Sequence, residues 1–157
     1  MASGVFSWGE RNKMNILVSR CLLGVPCRYD GRSKPNPAVM ALEEQGHHLI
    51  SVCPEVEGGL DTPRPPAEVQ PDRRVVNEAG VDVTTQYRRG AELALETARK
   101  YGCTAAILKA KSPSCGDAQI YDGTFSRTLI PGQGVAAELL TRAGLRVVNE
   151  NHLEDLF

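Results

Sequence analysis

Thr104-Ala105-Ala106-Ile107-Leu108 runs directly into Lys109-Ala110-Lys111-Ser112-Pro113-Ser114-Cys115-Gly116. The first five residues form an apolar run of the length of one buried strand. After it come two lysines, two hydroxyls, a proline that stops any helix, and a cysteine backed by glycine. A short buried strand ending in such a turn presents polar side chains at the carboxyl edge of a sheet, where open α/β sheets place ligands. The nearby ammonium groups and turn amides are expected to lower the thiol pKa of Cys115, making it a thiolate nucleophile or a metal ligand. A solvated loop with a buried, inert cysteine is the plain alternative. What separates the two is that other strand ends carry cysteines as well.

Upstream, residues 15–19 are a first apolar strand, followed by a loop that holds Cys21 and Cys27 and is punctuated by Gly24, Pro26 and Asp30-Gly31. Asn36-Pro37 offers a helix cap with proline at the first helical position. Residues 48–52 form a second strand, which ends in Cys53-Pro54-Glu55. Residues 56–71 read as a long irregular segment rich in Gly and Pro, with Thr62-Pro63-Arg64-Pro65-Pro66 at its centre. Residues 73–76 and 81–83 are expected to pair as a small hairpin around Asn77-Glu78-Ala79-Gly80. Thr84 or Thr85 then caps a helix that runs to about Lys100 and closes at Gly102.

Downstream, residues 119–129 alternate around Asp122-Gly123, a second hairpin signal. A last helix is expected over 134–142 and a last core strand over 145–148. Strands alternating with helices give an α/β fold: three layers, a mainly parallel sheet with helices on both faces, and small hairpin excursions. Residues 1–13 read as a non-functional extension, and residues 14–157 as a single α/β domain.

Composition narrows the classes of function. A length of 157 residues suits one domain with its own core, and the net charge of −1 argues against a general nucleic-acid surface or an anionic membrane partner. No apolar run approaches a membrane span, and residues 1–13 lack the apolar centre of a signal peptide. Five cysteines, an odd count without secretory features, favour a reducing, cytoplasmic setting in which thiols serve metal or catalysis rather than disulfides.

Parallel strands bring their carboxyl ends to one edge, so Cys21, Cys53 and Cys115 are expected to converge there. Three thiolates in one pocket suit a soft metal or an iron–sulfur cluster and leave one metal position open. No Cys-x-x-Cys pair exists, so the spacing is not that of a zinc ribbon. Cys27 reads as a fourth ligand, a resolving thiol or a bystander, and Cys103, at the opposite edge, as plain core. His47 and His48 open a strand and read as solvated or satisfied groups rather than ligands.

Cys21-Leu22-Leu23-Gly24 with Tyr29-Asp30-Gly31, Val52-Cys53-Pro54-Glu55 with Gly59 and Thr62-Pro63-Arg64-Pro65, and Leu108-Lys109 with Ser112-Pro113-Ser114-Cys115-Gly116 together resemble the thiouracil desulfidase family. The likeness spans residue 14 to the C-terminus. It implies an α/β fold and an oxygen-sensitive [4Fe-4S] cluster held by only three cysteines, which here would be Cys21, Cys53 and Cys115, with Cys27 outside the cluster. The implied activity is non-redox removal of sulfur from thiouracil-type thiolated pyrimidines, giving uracil and hydrogen sulfide.

Residue chemistry fills in candidate roles for that reaction. Glu55, two residues after a cysteine, is placed to take a proton from water. Ser112 and Lys109 are the candidates to donate hydrogen bonds to the ring as charge develops, with Lys111 and Ser114 as substrate contacts beside them. Arg64, in its stiff proline frame, is a candidate for a carbonyl or phosphate, or else caps the loop. Tyr29, Tyr121 and Phe125 offer stacking faces for a pyrimidine. Two other classes stay open: a non-catalytic iron–sulfur redox or iron sensor, and a cluster-free enzyme working through a cysteine persulfide.

Overall fold

The computed structural model describes residues 13–157, so the expected extension lies outside the described residues apart from Lys13. Along the chain run β1 (Asn15–Ser19), α1 (Pro37–Glu44), β2 (His48–Val52), the single-turn α2 (Pro54–Glu57), β3 (Ala67–Val69), β4 (Val75–Asn77) and α3 (Thr84–Lys100). Then come β5 (Ala105–Leu108), β6 (Gln119–Tyr121), β7 (Leu129–Pro131), α4 (Val135–Arg142) and β8 (Arg146–Asn149). A 3₁₀ turn, Arg20–Leu23, follows β1, and another, Leu153–Leu156, ends the chain.

The main sheet has the order β2-β1-β5-β8, and every neighbouring pair is parallel. Side chains alternate between its two faces. Ile16, Val18, Ala105 and Ile107 pack with Val39 and Leu42 of α1 and with Leu156. Leu17, Ala106 and Leu108 pack with Ala94 and Ala98 of α3 and Ala137 and Leu140 of α4. Strands covered on both faces need apolar residues at every position, which is why residues 104–108 read as an unbroken run. Leu140 is wholly buried on the second face, a contribution of about 1.5–3 kcal/mol from its side chain.

Local chemistry sets the element ends. The Asn36 side chain accepts the Val39 amide at 3.1 Å, with Pro37 at the first helical position, as expected. The start of α3 differs: neither threonine caps it. Asp82 accepts the Thr84 amide at 2.9 Å, while the Thr84 hydroxyl accepts the Val75 amide at 2.9 Å and stitches the helix to β4. The left-handed Gly102 (φ 62) ends the turn after α3.

The excursions also differ in detail. The turn at 77–80 closes with a single bridge, Val76↔Asp82, but the longer antiparallel ladder joins β4 to β3, inside the stretch read as irregular. The second hairpin pairs β6 with β7 across a loop, 122–128, longer than Asp122-Gly123 alone implies. Val69, Val75, Val83, Tyr87 and Ile120 form a small core that joins both hairpins to α3.

Strand order fixes where a site can form. From β1 the sheet grows to β2 on one side, and β5 is then laid on the other, so the switch point lies between β1 and β5. Ligands in open α/β sheets bind outside the strand carboxyl ends at such a point. There the Ser19 hydroxyl accepts the Lys109 amide at 2.9 Å, bridging the two strand ends.

Candidate active site

Every residue singled out from the sequence as ligand, catalytic group or substrate contact lines one cavity of about 530 Å³ at this edge. A groove of about 470 Å³ on the other side of β2, lined by His48, Glu96 and Lys100 among others, carries no cysteine.

Cys21 sits in the 3₁₀ turn after β1, its carbonyl accepting the amides of Gly24 (3.2 Å) and Lys34 (2.9 Å). Gly24 at φ 95 lets the chain reverse there. Cys53 is the residue just before α2, and Glu57, one turn on, reaches back to accept its amide at 2.7 Å and Arg20 at 3.0 Å. Cys115 closes the 112–116 turn, its amide donating to the Ser112 hydroxyl at 3.0 Å. The amides of Gly134, Val135, Ala136 and Ala137 lock that turn by donating to carbonyls of residues 113, 114 and 116 at 2.8–3.0 Å. A side chain at Gly134 would meet the Ser114 backbone, so the close approach requires glycine.

Cys21, Cys53 and Cys115 are 4–8 % exposed. Cys115 was expected to be a low-pKa thiol, and the opposite holds: burial pushes it up to about 12, against weaker help from the Ser19 and Ser114 hydroxyls. The ammonium meant to lower it is turned away, with Lys109 Nζ 2.9 Å from Glu150 Oε2. A hydrogen bond from Cys27 and then burial push Cys53 far above the usual thiol range. Cys27 is buried beside them, its carbonyl accepting the Cys53 thiol at 3.7 Å, and its own thiol is raised, chiefly by the neighbouring Cys21. Free thiols in such surroundings stay protonated, and a bound metal centre deprotonates them outright.

The donor set fits a cluster better than a single ion. Thiolates on one tetrahedral zinc lie roughly 3.8 Å apart, from a Zn–S bond of about 2.3 Å. Among the described residues no three cysteine sulfurs fall within 4.8 Å of one another. That spacing leaves room for a body larger than one metal ion.

Glu55, on α2, is the centre of the polar half. Its Oε1 accepts Tyr87 Oη at 2.9 Å and Arg64 Nε at 3.1 Å, and its Oε2 accepts Ser114 Oγ at 2.8 Å and Ser112 Oγ at 3.4 Å. Its side chain is only 12 % exposed. A carboxylate offers about four acceptor sites, and all are used. The two serine hydroxyls lie 3.0 Å apart, and Ser112 also accepts the amides of Ser114 (3.1 Å) and Cys115.

The remaining candidates are distributed around this centre. Arg64 is held by Glu55, by the carbonyls of Cys27 (3.0 Å) and Asp61 (3.0 Å) and by the Thr62 hydroxyl, so its guanidinium clamps the loop onto Glu55. Lys109 is anchored by Glu150, whose other oxygen accepts the Ala110 amide at 2.8 Å. Lys111 is exposed at the mouth with a left-handed backbone (φ 69), and among the described residues no ion pair engages it. Tyr29 is a rim residue, 42 % exposed. Cys103 is core beneath α3, as expected, and His47 accepts the Met14 amide.

Tyr87, Ser19 and Glu150 were missed. Tyr87 lies on the stripe Tyr87-Ala91-Ala94-Ala98 that faces the core, and a hydroxyl on an apolar stripe was the available signal. Ser19 and Glu150 end or follow strands of the parallel sheet, so the rule that singled out the cysteines applied to them equally.

A parallel α/β sheet whose switch-point edge gathers buried cysteines beside an anchored carboxylate has the donor set of a thiolate-held metal centre with a carboxylate next to it. The 2-thiouracil desulfurase family model matches residues 16–152, and the chain belongs to that family. It is 42 % identical over 150 residues to the uncharacterized protein YbbK of Bacillus subtilis (strain 168), covering 90 % of this chain and 99 % of YbbK. A solved structure described as a [4Fe-4S]-dependent thiouracil desulfidase, TudS, superposes with a TM-score of 0.86 at 48 % identity, covering 92 % of this chain and 95 % of that one.

Proposed function

We propose that this protein is a [4Fe-4S]-dependent desulfidase that hydrolyses the C–S bond of a small thiolated pyrimidine of the thiouracil type, releasing hydrogen sulfide and the oxo-pyrimidine. The observation that carries this reading is the convergence of four donors on Glu55 beside three buried cysteines at one sheet edge. A sensor needs the thiolates but has no use for a caged carboxylate with two movable hydroxyls. Membership of the desulfurase family supports the same reading.

In this reading Cys21, Cys53 and Cys115 hold the cluster and Cys27 stays outside it. Bound there, the cluster supplies a soft Lewis acid for a thiocarbonyl sulfur. The chain's own residues do the rest. Arg64 and Tyr87 pin one oxygen of Glu55, and Ser112 and Ser114 occupy the other. Ser112 can turn its proton to Ser114 or to the substrate, which opens a lone pair on Oε2 for water. Glu55 then takes a proton from that water as it adds to the ring carbon. The Ser114–Ser112 pair carries a proton toward the cavity. Lys109 and Lys111 favour negative charge developing on the ring. Exchange of C=S for C=O leaves the carbon at the same oxidation level, so no electrons are consumed.

Five free cysteines suit a reducing, cytoplasmic setting and an oxygen-sensitive centre. Among the described residues no helix is long and apolar enough to cross a membrane. The test is anaerobic reconstitution with iron and sulfide, followed by assay on 2- and 4-thiouracil. Uracil and sulfide in equal amounts are expected from at least one of them. Full activity without iron would favour the persulfide enzyme, and a loaded but inert protein would favour the sensor.

A further inference from the structure

The loop 122–128 between β6 and β7 brings Phe125 and Arg127 to the cavity wall. Both are left-handed, at φ 56 and φ 62. Side chains rarely adopt that conformation, and it persists only where the surroundings over-determine it. Within the loop Asp122 accepts the Thr124 amide at 3.0 Å and donates its own amide to the Thr128 carbonyl at 2.9 Å, and from β3 a second carboxylate reaches in. Glu68 on β3 accepts, at a single oxygen, the amides of Gly123 (2.9 Å) and Phe125 (3.1 Å). Gln70, two residues on, donates to the Gly123 carbonyl at 3.2 Å. Gly123 itself is left-handed (φ 95), and a side chain there would press on Gln70 and the Val69 carbonyl at 3.1 Å. Among the described residues no ion pair engages Glu68. Its charge is therefore spent on two loop amides.

A flat heteroaromatic ring is held best against a π face, and few are on offer. Tyr87 is committed through its hydroxyl to Glu55, Tyr29 stands at the rim, 42 % exposed, and Tyr121, half-buried at the end of β6, lines the same cavity but carries a hydroxyl. Phe125 is half-buried, carries no polar group, and is held in an unfavourable backbone conformation at the wall. We propose that Glu68 is a positioning residue for substrate recognition: its clasp on the Gly123 and Phe125 amides holds the Phe125 ring as the wall against which the thiolated ring packs. The inference rests on the desulfidase reading above and extends it to the element that selects a planar substrate.

The test compares Glu68→Ala, Glu68→Gln, Phe125→Ala and the Glu68→Ala/Phe125→Ala double variant, each reconstituted anaerobically, for iron content, kcat and KM on 2-thiouracil. Phe125→Ala and Glu68→Ala are each expected to raise KM about tenfold, the scale of one lost ring–aromatic contact, with iron and kcat within about twofold of the parent. Glu68→Gln keeps an oxygen that accepts both amides and is expected to restore KM. The double variant should be no worse than Phe125→Ala, because the clasp acts only through the ring. An unchanged KM in Phe125→Ala overturns the proposal, as does Glu68→Gln behaving like Glu68→Ala. Should Glu68→Ala fail to fold, an unchanged KM in Phe125→Ala still overturns the proposal, as does a KM for Glu68→Gln raised about tenfold over the parent. A wild-type protein inert on thiouracil defeats the desulfidase reading and this inference with it; an active wild type with an insensitive KM defeats this inference alone.

Discussion

Tyr87 donates its phenolic proton to Oε1 of Glu55 at 2.9 Å, tying the first turn of α3 to the single-turn helix that carries the carboxylate. Tyr87 is 1 % exposed, and burial first, then the Glu55 charge, raise its pKa well above the usual phenol value, so it stays a donor. With Arg64 it fixes one carboxylate oxygen and leaves the other to two serine hydroxyls.

Two substitutions separate the carboxylate from its support. Glu55→Gln preserves shape but cannot accept a proton, and kcat is expected to fall by about two to four orders of magnitude with iron content intact. Tyr87→Phe removes one hydrogen bond to a charged group, on the order of 1.5–3 kcal/mol, and kcat is expected to fall about tenfold, also with iron intact. Single-turnover rates and iron analysis check both. Near-normal turnover in loaded Glu55→Gln would move the base elsewhere.

Replacement of Cys21, Cys53 or Cys115 by alanine is expected to lose iron and activity together, because two thiolates hold an accessible cluster poorly. Cys27→Ala and Cys103→Ala are expected to keep their iron. Iron and acid-labile sulfide measured after anaerobic reconstitution decide this. Loss of the cluster in Cys27→Ala, with retention in one of the three, would overturn the ligand assignment.

Gly90 lets α3 press on α2: a side chain there would overlap the Pro54 carbonyl, next to both Cys53 and Glu55. Gly90→Ala is expected to destabilise the fold by about 1–3 kcal/mol through overpacking and to lower both iron content and kcat. Thermal unfolding and iron analysis measure it. An unchanged melting temperature with full iron would mean that the two helices part without cost.

The legibility of this chain follows its geometry. Strand ends were readable because parallel strands share an edge, so Cys21, Cys53, Cys115, Glu55 and Ser112 were found together from residues far apart. The Asn36-Pro37 start of α1 was readable because its cap is local. Pairings that depend on tertiary contact were not. β3 lay hidden in a Pro-rich stretch, since its strand character comes from its ladder to β4 and from Val69 reaching the Tyr87 core. The thiol pKa of Cys115 was misjudged because tertiary packing buries the sulfur and because Lys109 finds Glu150, contributed by the end of β8, rather than the sulfur. Tyr87 read as core and is core along its ring, with only its hydroxyl in the site.

The central claim is that sulfur leaves by hydrolysis, without electrons. The direct measurement is anaerobic turnover of 2- or 4-thiouracil by protein carrying an oxidised [4Fe-4S] cluster, with no reductant added. Repeated turnover with uracil and sulfide released in equal amounts is the expected result. Strict dependence on an electron donor would contradict it and return the protein to redox chemistry.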